Sequence, residues 1–277
     1  MSTASPRDKP IGVFDSGMGG LTVMRALMER LPHESFVYLG DTARLPYGSK
    51  SADVVTRYAV QCARALTAHD IKLLVVACNT ASSTALPALT QTLAPTPVIG
   101  VIEPGAEAAI AAAPSGRIAV IATEGTVRGG AYSRAILARN PAARVTQQAC
   151  PLFVALAEEG MTTGPIPELV AKQYLDAMLG EAKPECLVLG CTHFPALKET
   201  IARVAGPNVV LVDSAATTAK SVERLLGEKN IARESGTPEP PRFLATDAPE
   251  RFARVGEIFL GRKIAGDSVE LVDLQNL

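Results

Sequence analysis

Two cysteines of this 277-residue chain stand apart from the other three because of where they fall in its hydrophobic pattern. Cys78 closes the apolar run Val75-Val76-Ala77 and is followed by Asn79 and Thr80, and Cys191 closes Val188-Leu189-Gly190 and is followed by Thr192 and His193. A thiol between a strand end and a helix start lies where the helix field favours the thiolate. An ordinary thiol titrates at ~8.5, close enough to neutrality for one of two such groups to accept a proton while the other donates one. Two thiols facing each other across a cleft would suit inversion at a carbon, where one face loses a proton and the opposite face gains one. So weak a carbon acid needs donors that hold the developing charge and a site that excludes water. Ser16, Asn79, Thr80 and Thr192 supply hydroxyl and amide donors, while Asp15 and His193 could tune the two thiols or hold a substrate ammonium group.

The remaining cysteines carry no such signal. Cys62 falls on a four-residue recurrence with Val54, Tyr58 and Leu66, one face of an amphipathic helix, which places it in the core. Five cysteines without a CxxC pair or a Cys/His spacing suited to zinc argue against a disulfide framework and a structural metal. Two glycine-containing turns invite a nucleotide reading that fails on spacing. Gly17-Met18-Gly19-Gly20 lacks the third glycine of the dinucleotide fingerprint, and in Gly48-Ser49-Lys50-Ser51 a serine separates the glycine from the lysine of a phosphate loop.

These residues must be positioned by a framework, and the chain supplies one in short apolar runs over residues 11–14, 36–39, 73–76, 118–121, 187–189 and 209–212, each before turn-forming residues and a helical pattern. Strand alternating with helix predicts an α/β fold with mainly parallel sheets covered on both faces. In such sheets ligands bind beyond the carboxyl ends of the strands. The chain also repeats loosely. Ile11-Gly12-Val13-Phe14-Asp15-Ser16 matches Ile118-Ala119-Val120-Ile121-Ala122-Thr123, which makes Thr123 a pocket candidate, and each half later ends a strand in a cysteine. Two pseudo-symmetric α/β domains are expected, residues 1–98 plus 208–277 carrying Asp15 and Cys78 and residues 99–207 carrying Cys191 and His193, with the active site in the cleft between them. The run 209–212, a helix from Thr217 and an amphipathic helix over 252–260 are assigned to the first.

Composition narrows the partners. Lys plus Arg is 27 against 28 for Asp plus Glu, spread along the chain, so there is no footprint for nucleic acid and a small-molecule ligand is expected. The polar start of the chain and the absence of a ~20-residue apolar stretch argue against export and membrane insertion and for the cytoplasm.

Four ordered segments, GVFDSGMGG (12–20), DTARLPYG (41–48), VVACNTAS (75–82) and GCTHFP (190–195), closely resemble the glutamate racemases of the aspartate/glutamate racemase superfamily, over roughly residues 9–218. The resemblance implies racemisation of glutamate without pyridoxal phosphate or metal, D-glutamate for peptidoglycan, and a homodimer. It implies that Cys78 exchanges the proton with D-glutamate and Cys191 with L-glutamate. It implies substrate contacts from Asp15, Ser16, Pro46, Tyr47, Gly48, Asn79, Thr80, Thr192 and His193, and an acidic residue assisting His193. The segment 150–158 resembles the one carrying that acid, although Ala155 and Ala157 depart from the usual pattern; Glu158 is the candidate and Glu159 the alternative.

Three other readings remain open at this stage: an aspartate or hydantoin racemase using the same thiols, a non-catalytic two-domain binding protein, and a pyridoxal-phosphate racemase, for which neither a Schiff-base lysine nor a phosphate cradle is evident.

Overall fold

The computed structural model describes residues 5–274, so the outermost residues of the expected first unit, 1–4 and 275–277, lie outside it. The described chain forms two parallel sheets. The first takes the strands β1 (Ile11–Asp15), β2 (Phe36–Gly40), β3 (Leu73–Val76), β4 (Val98–Gly100), β9 (Arg242–Ala245) and β10 (Val269–Leu271), in the order β10-β9-β2-β1-β3-β4. The second takes β5 (Arg117–Ala122), β6 (Arg144–Ala149), β7 (Cys186–Gly190) and β8 (Val210–Asp213), in the order β6-β5-β7-β8. The central strands β1, β2, β3 and β7 are buried at every position, as a parallel sheet covered on both faces requires.

Helices cover those faces. Through the first half they are α1 (Leu21–Arg30), α2 (Ala52–Thr67), α3 (Asn79–Thr84), α4 (Leu86–Leu93) and α5 (Ile102–Ala112). The middle contributes α6 (Glu124–Gly129), α7 (Ala131–Arg139), α8 (Leu152–Glu158) and α9 (Pro165–Ala182), and the last part α10 (Lys198–Ala205), α11 (Ser214–Glu228) and α12 (Pro249–Leu260). Cys62 is fully buried on α2. One apolar core runs from the α1 side of the first sheet into the second, joining Leu21, Met24 and Phe252 to Phe153 and Phe194.

The register aligns the two halves. Phe14 of β1 pairs with Val76 of β3, so Asp15 and Cys78 leave neighbouring strands at one edge. Ala122 of β5 pairs with Gly190 of β7, so Thr123 and Cys191 leave neighbouring strands at the equivalent edge of the other sheet.

The strand assignment differs from expectation at both crossings. β4 spans the expected boundary at residue 98 and pairs with β3. Val210–Asp213 does not return to the first sheet but pairs with β7, from Cys186↔Val210 to Leu189↔Asp213. Without it the buried strand β7 would present an open row of backbone donors and acceptors, and a half-exposed strand closes that edge. The chain therefore returns to the first sheet only after Asp213. Among the described residues no helix is long and apolar enough to cross a membrane.

Candidate functional site

Asp15 ends β1 fully buried, where its Oδ2 accepts the Gly17 amide at 3.0 Å. The turn that follows has glycines for close approach. A Cβ on Gly19 would stand 2.5 Å from the His193 ring, and one on Gly20 would stand 2.5 Å from the Asp15 Cβ. The loop after Asp15 thus lets the second half of the chain come against the first.

Cys78 caps α3, accepting the Ala81 amide on sulfur at 3.4 Å, and its thiol reaches the Ser16 hydroxyl at 3.5 Å. It is 4% exposed. Burial, and after it the negative charge of Asp15, push this thiol up to about 12; the Ala81 amide and Ser16 pull the other way without prevailing. The helix start therefore does not make Cys78 a thiolate, contrary to the expectation from its position: it rests as a thiol, equipped to give a proton. Asp15 is itself raised above the ordinary carboxyl range, by burial first, with the nearby His193 charge opposing.

Across the interface, Cys191 is 5% exposed and its sulfur lies 3.8 Å from His193 Nδ1. The other ring nitrogen of His193 donates to Glu158 Oε1 at 3.1 Å. Burial works against a charged imidazole here, but the bonds to Cys191 and Glu158 outweigh it and raise His193 to about 10. For Glu158, burial pushes the carboxyl up and bonds from His193 and Arg251 more than reverse this, so it lies below its usual range. His193 is thus a cation at neutral pH, held beside the second sulfur. Glu158 makes this contact, whereas Glu159 is exposed at the end of α8.

Bonds between the two sheet edges join the thiol sites. Thr192 Oγ1 donates to Asp15 Oδ1 at 3.5 Å, and the Thr22 hydroxyl donates to the Thr192 carbonyl at 3.0 Å. Thr80 Oγ1 lies 3.0 Å from Thr123 Oγ1 and 3.2 Å from Thr126 Oγ1. The Tyr132 hydroxyl donates to Asn79 Oδ1 at 2.8 Å. Asn79 Nδ2 is left buried without a protein partner, an orphaned donor whose cost is about 1–3 kcal/mol until an acceptor arrives. The sulfurs lie close enough for a charge on Cys191 to raise Cys78.

A cavity of about 300 Å³ is lined by Pro46, Gly48, Thr123 and Glu158 among others, and neither Cys78 nor Cys191 borders it. In its lining Thr123 is bonded to Thr80, two residues after Cys78, and Glu158 is bonded to His193, which lies beside Cys191. The Tyr47 ring is buried and its hydroxyl is bonded to Asp41, while its neighbours Pro46 and Gly48 line the cavity. A larger cavity, about 610 Å³, borders Arg44, Tyr58 and Leu271 and none of the candidate residues.

Local pattern gave no hint of Tyr132, Thr126, Thr22 or Arg251, which hold the site from distant segments. Of these, Thr126, one turn after Thr123, and Thr22, two residues after the glycine turn, have sequence neighbours that could have pointed to them.

Buried strand-end thiols with hydroxyl, amide and acid groups near them suit proton transfer at carbon, the chemistry of an amino-acid racemase. Residues 11–222 match the Asp/Glu/hydantoin racemase family, and the chain belongs to it. Within that family the extended likeness is to glutamate racemases. The glutamate racemase of Geobacter metallireducens is 52% identical over 92% of this chain and 94% of its own. The crystal structure of the Francisella tularensis glutamate racemase in complex with D-glutamate superposes with a TM-score of 0.90 at 39% identity, covering 98% of this chain and all of that one. That of glutamate racemase isoform RacE1 from Bacillus anthracis gives 0.91 at 37% identity, covering 97% and 98%.

Proposed function

We propose that this enzyme interconverts L- and D-glutamate with Cys78 and Cys191 as the proton-transferring pair, and without a cofactor. The observation that carries the reading is the matched placement of the two buried thiols after β3 and β7, with Asp15 and Thr192 bonded between them.

In the L-to-D direction Cys191, as thiolate, takes the α-proton, and the electron pair left on carbon is spread into the adjacent carboxylate. The Cys78 thiol delivers its own proton to the opposite face. The enzyme then holds a thiol at 191 and a thiolate at 78, the arrangement that the D-to-L direction starts from. The starting protonation returns when Cys191 gives its new proton to solvent and Cys78 takes one from it; His193, already a cation, accepts no further proton, and its charge stands beside the Cys191 sulfur. The Asn79 amide, Ser16, Thr80, Thr123 and Thr192 supply donors for the substrate carboxylates and for the charge that develops on one of them. Pro46 and Gly48 line the cavity beside these donors.

The same reading takes the two units as residues up to Gly100 with those from Ser214 onward, and the stretch between. It also includes a homodimer, a cytoplasmic location, and D-glutamate made for peptidoglycan.

Incubation of each enantiomer of glutamate and of aspartate in deuterium oxide tests the proposal. The expected result is decay of optical rotation from either glutamate enantiomer, with one deuteron entering Cα of the inverted product. Turnover of aspartate alone rejects the substrate, and activity lost on dialysis and restored by pyridoxal phosphate rejects cofactor independence.

A further inference from the structure

We infer that Arg251, on α12, is a positioning residue for the second thiol site, clamping Glu158 against His193. Its bearing on catalysis rests on the two-thiol reading, while the clamp itself is a matter of geometry.

The Glu158 carboxylate divides its oxygens between two donors. Oε1 takes His193 Nε2 at 3.1 Å and Oε2 takes Arg251 Nη2 at 2.9 Å. With both oxygens engaged the carboxylate has one orientation; with His193 alone it is free to rotate or swing toward the cavity. The charges around Glu158 make Arg251 hard to replace. Glu159 follows it on the chain, and Glu124 shares the cavity lining as a second carboxylate. The helix α9, packed on α8, brings Glu168, already tied to Arg203, and Lys172. From α12 come Glu250 and Arg254 as well as Arg251. From the segment after β7 comes His193. Of these groups, His193 and Arg251 are the ones bonded to Glu158.

The same helix also touches His193. The Phe259 ring meets the imidazole edge-on, with centroids 5.0 Å apart. Arg251 and Phe259 lie about 12 Å apart along α12, two helical turns, so the helix spans the His193–Glu158 pair and touches both members. Because α12 packs on α1, which follows the glycine turn after Asp15, the clamp ties the protonation of the second thiol site to the seating of a segment that belongs to the first sheet. The Arg251 side chain is 39% exposed, so the tie is also open to screening by salt.

The chain has only three histidines, which makes the His193 ring resolvable by NMR and assignable through His193→Gln. In the unaltered protein the ring signals should show an inflection on the acid side as Glu158 takes a proton. In Arg251→Met the inflection should move up by about half a pH unit, the size expected of a partly exposed ion pair, and in Arg251→Lys it should return most of the way. Where turnover is measured, kcat/KM of Arg251→Met should fall more at the acid end than at neutral pH. An inflection that stays in place in Arg251→Met, or moves as far in Arg251→Lys, overturns the assignment. Should Arg251→Met fail to fold, the unaltered protein in about 1 M salt must show the same upward displacement, and its absence overturns the assignment equally. The NMR displacement does not depend on turnover, so a protein that fails to racemise glutamate refutes the two-thiol reading and leaves the clamp to be judged by its own measurement.

Discussion

The hydroxyl of Tyr132 on α7 donates to the side-chain oxygen of Asn79 at the start of α3, at 2.8 Å, so a residue that follows the second sheet's first strand fixes the amide of a residue that follows Cys78. Because the phenol occupies Oδ1, the Nδ2 end of the amide is the one without a partner. Tyr132 has little room to do otherwise: a Cβ on Gly105 would stand 3.0 Å from its ring and one on Gly190 would stand 3.1 Å from it. Tyr132→Phe keeps the shape and frees the amide to turn over. The expected result is a roughly two- to tenfold rise in KM for glutamate with a smaller change in kcat, the cost of one lost hydrogen bond in substrate binding. Unchanged KM would show that Asn79 does not need the phenol.

The parts of this site visible in the sequence are those whose signal is local. Cys78 and Cys191 could be found because each ends a continuous apolar run, and fully buried parallel strands have to be written that way. The strands whose sequence carries little apolar signal lie at or near sheet edges. β6 carries Thr146, Gln147 and Gln148 and is nowhere fully buried, so its apolar signal is weak, while β4 and β10 are three residues each. The placement of Val210–Asp213 beside β7 is a choice between two available edges, and nothing in its own residues encodes that choice. Tyr132 is 53 positions from Asn79 and Arg251 is 93 from Glu158, separations at which no spacing rule operates.

Replacing either thiol tests the division of labour. Serine is smaller and far less acidic, so Cys78→Ser and Cys191→Ser should each lower kcat/KM by about 10²–10⁴-fold, in both directions, because each direction uses one thiol as base and the other as acid. A binding protein with no chemical step would retain its affinity for glutamate in both variants and lose nothing further. Substantial turnover in both would exclude the pair.

Asp15 carries a cost that its removal should expose. Its folded carboxyl is raised by burial above the unfolded value, so the folded state holds its proton more tightly, and the stability this group contributes at low pH is lost as pH rises through the folded value. Above the unfolded carboxyl value this buried group is therefore a burden on the folded state. Asp15→Asn should therefore raise the melting temperature at pH 7, by about 2–4 °C for each kcal/mol relieved, while lowering kcat/KM by about 10²-fold. A thermal scan and a rate measurement on the same preparation decide the matter. A variant both less stable and less active would mean that the carboxylate is held by its Gly17 and Thr192 bonds more firmly than burial opposes it.

The pH profile on the alkaline side should report on His193. Its imidazole is raised to about 10 although burial disfavours the charge, because Cys191 and Glu158 both favour the protonated ring. If the cation beside Cys191 is needed for turnover, kcat/KM should decline as pH approaches that value. Glu158→Gln keeps a hydrogen-bond acceptor for the ring and removes the negative charge, so the His193 value should fall and the alkaline limb should move to lower pH, while the acid limb attributed to Glu158 disappears. The same substitution should shrink the stability that His193 contributes. That stability is complete below the ordinary imidazole value of about 6.5 and is lost as pH rises through the folded value, so the difference in unfolding free energy between the two proteins should narrow from pH 6 toward pH 10. An alkaline limb that stays in place in Glu158→Gln would assign it to a group other than His193, with the Cys78 thiol, which burial holds at about 12, as the next to examine.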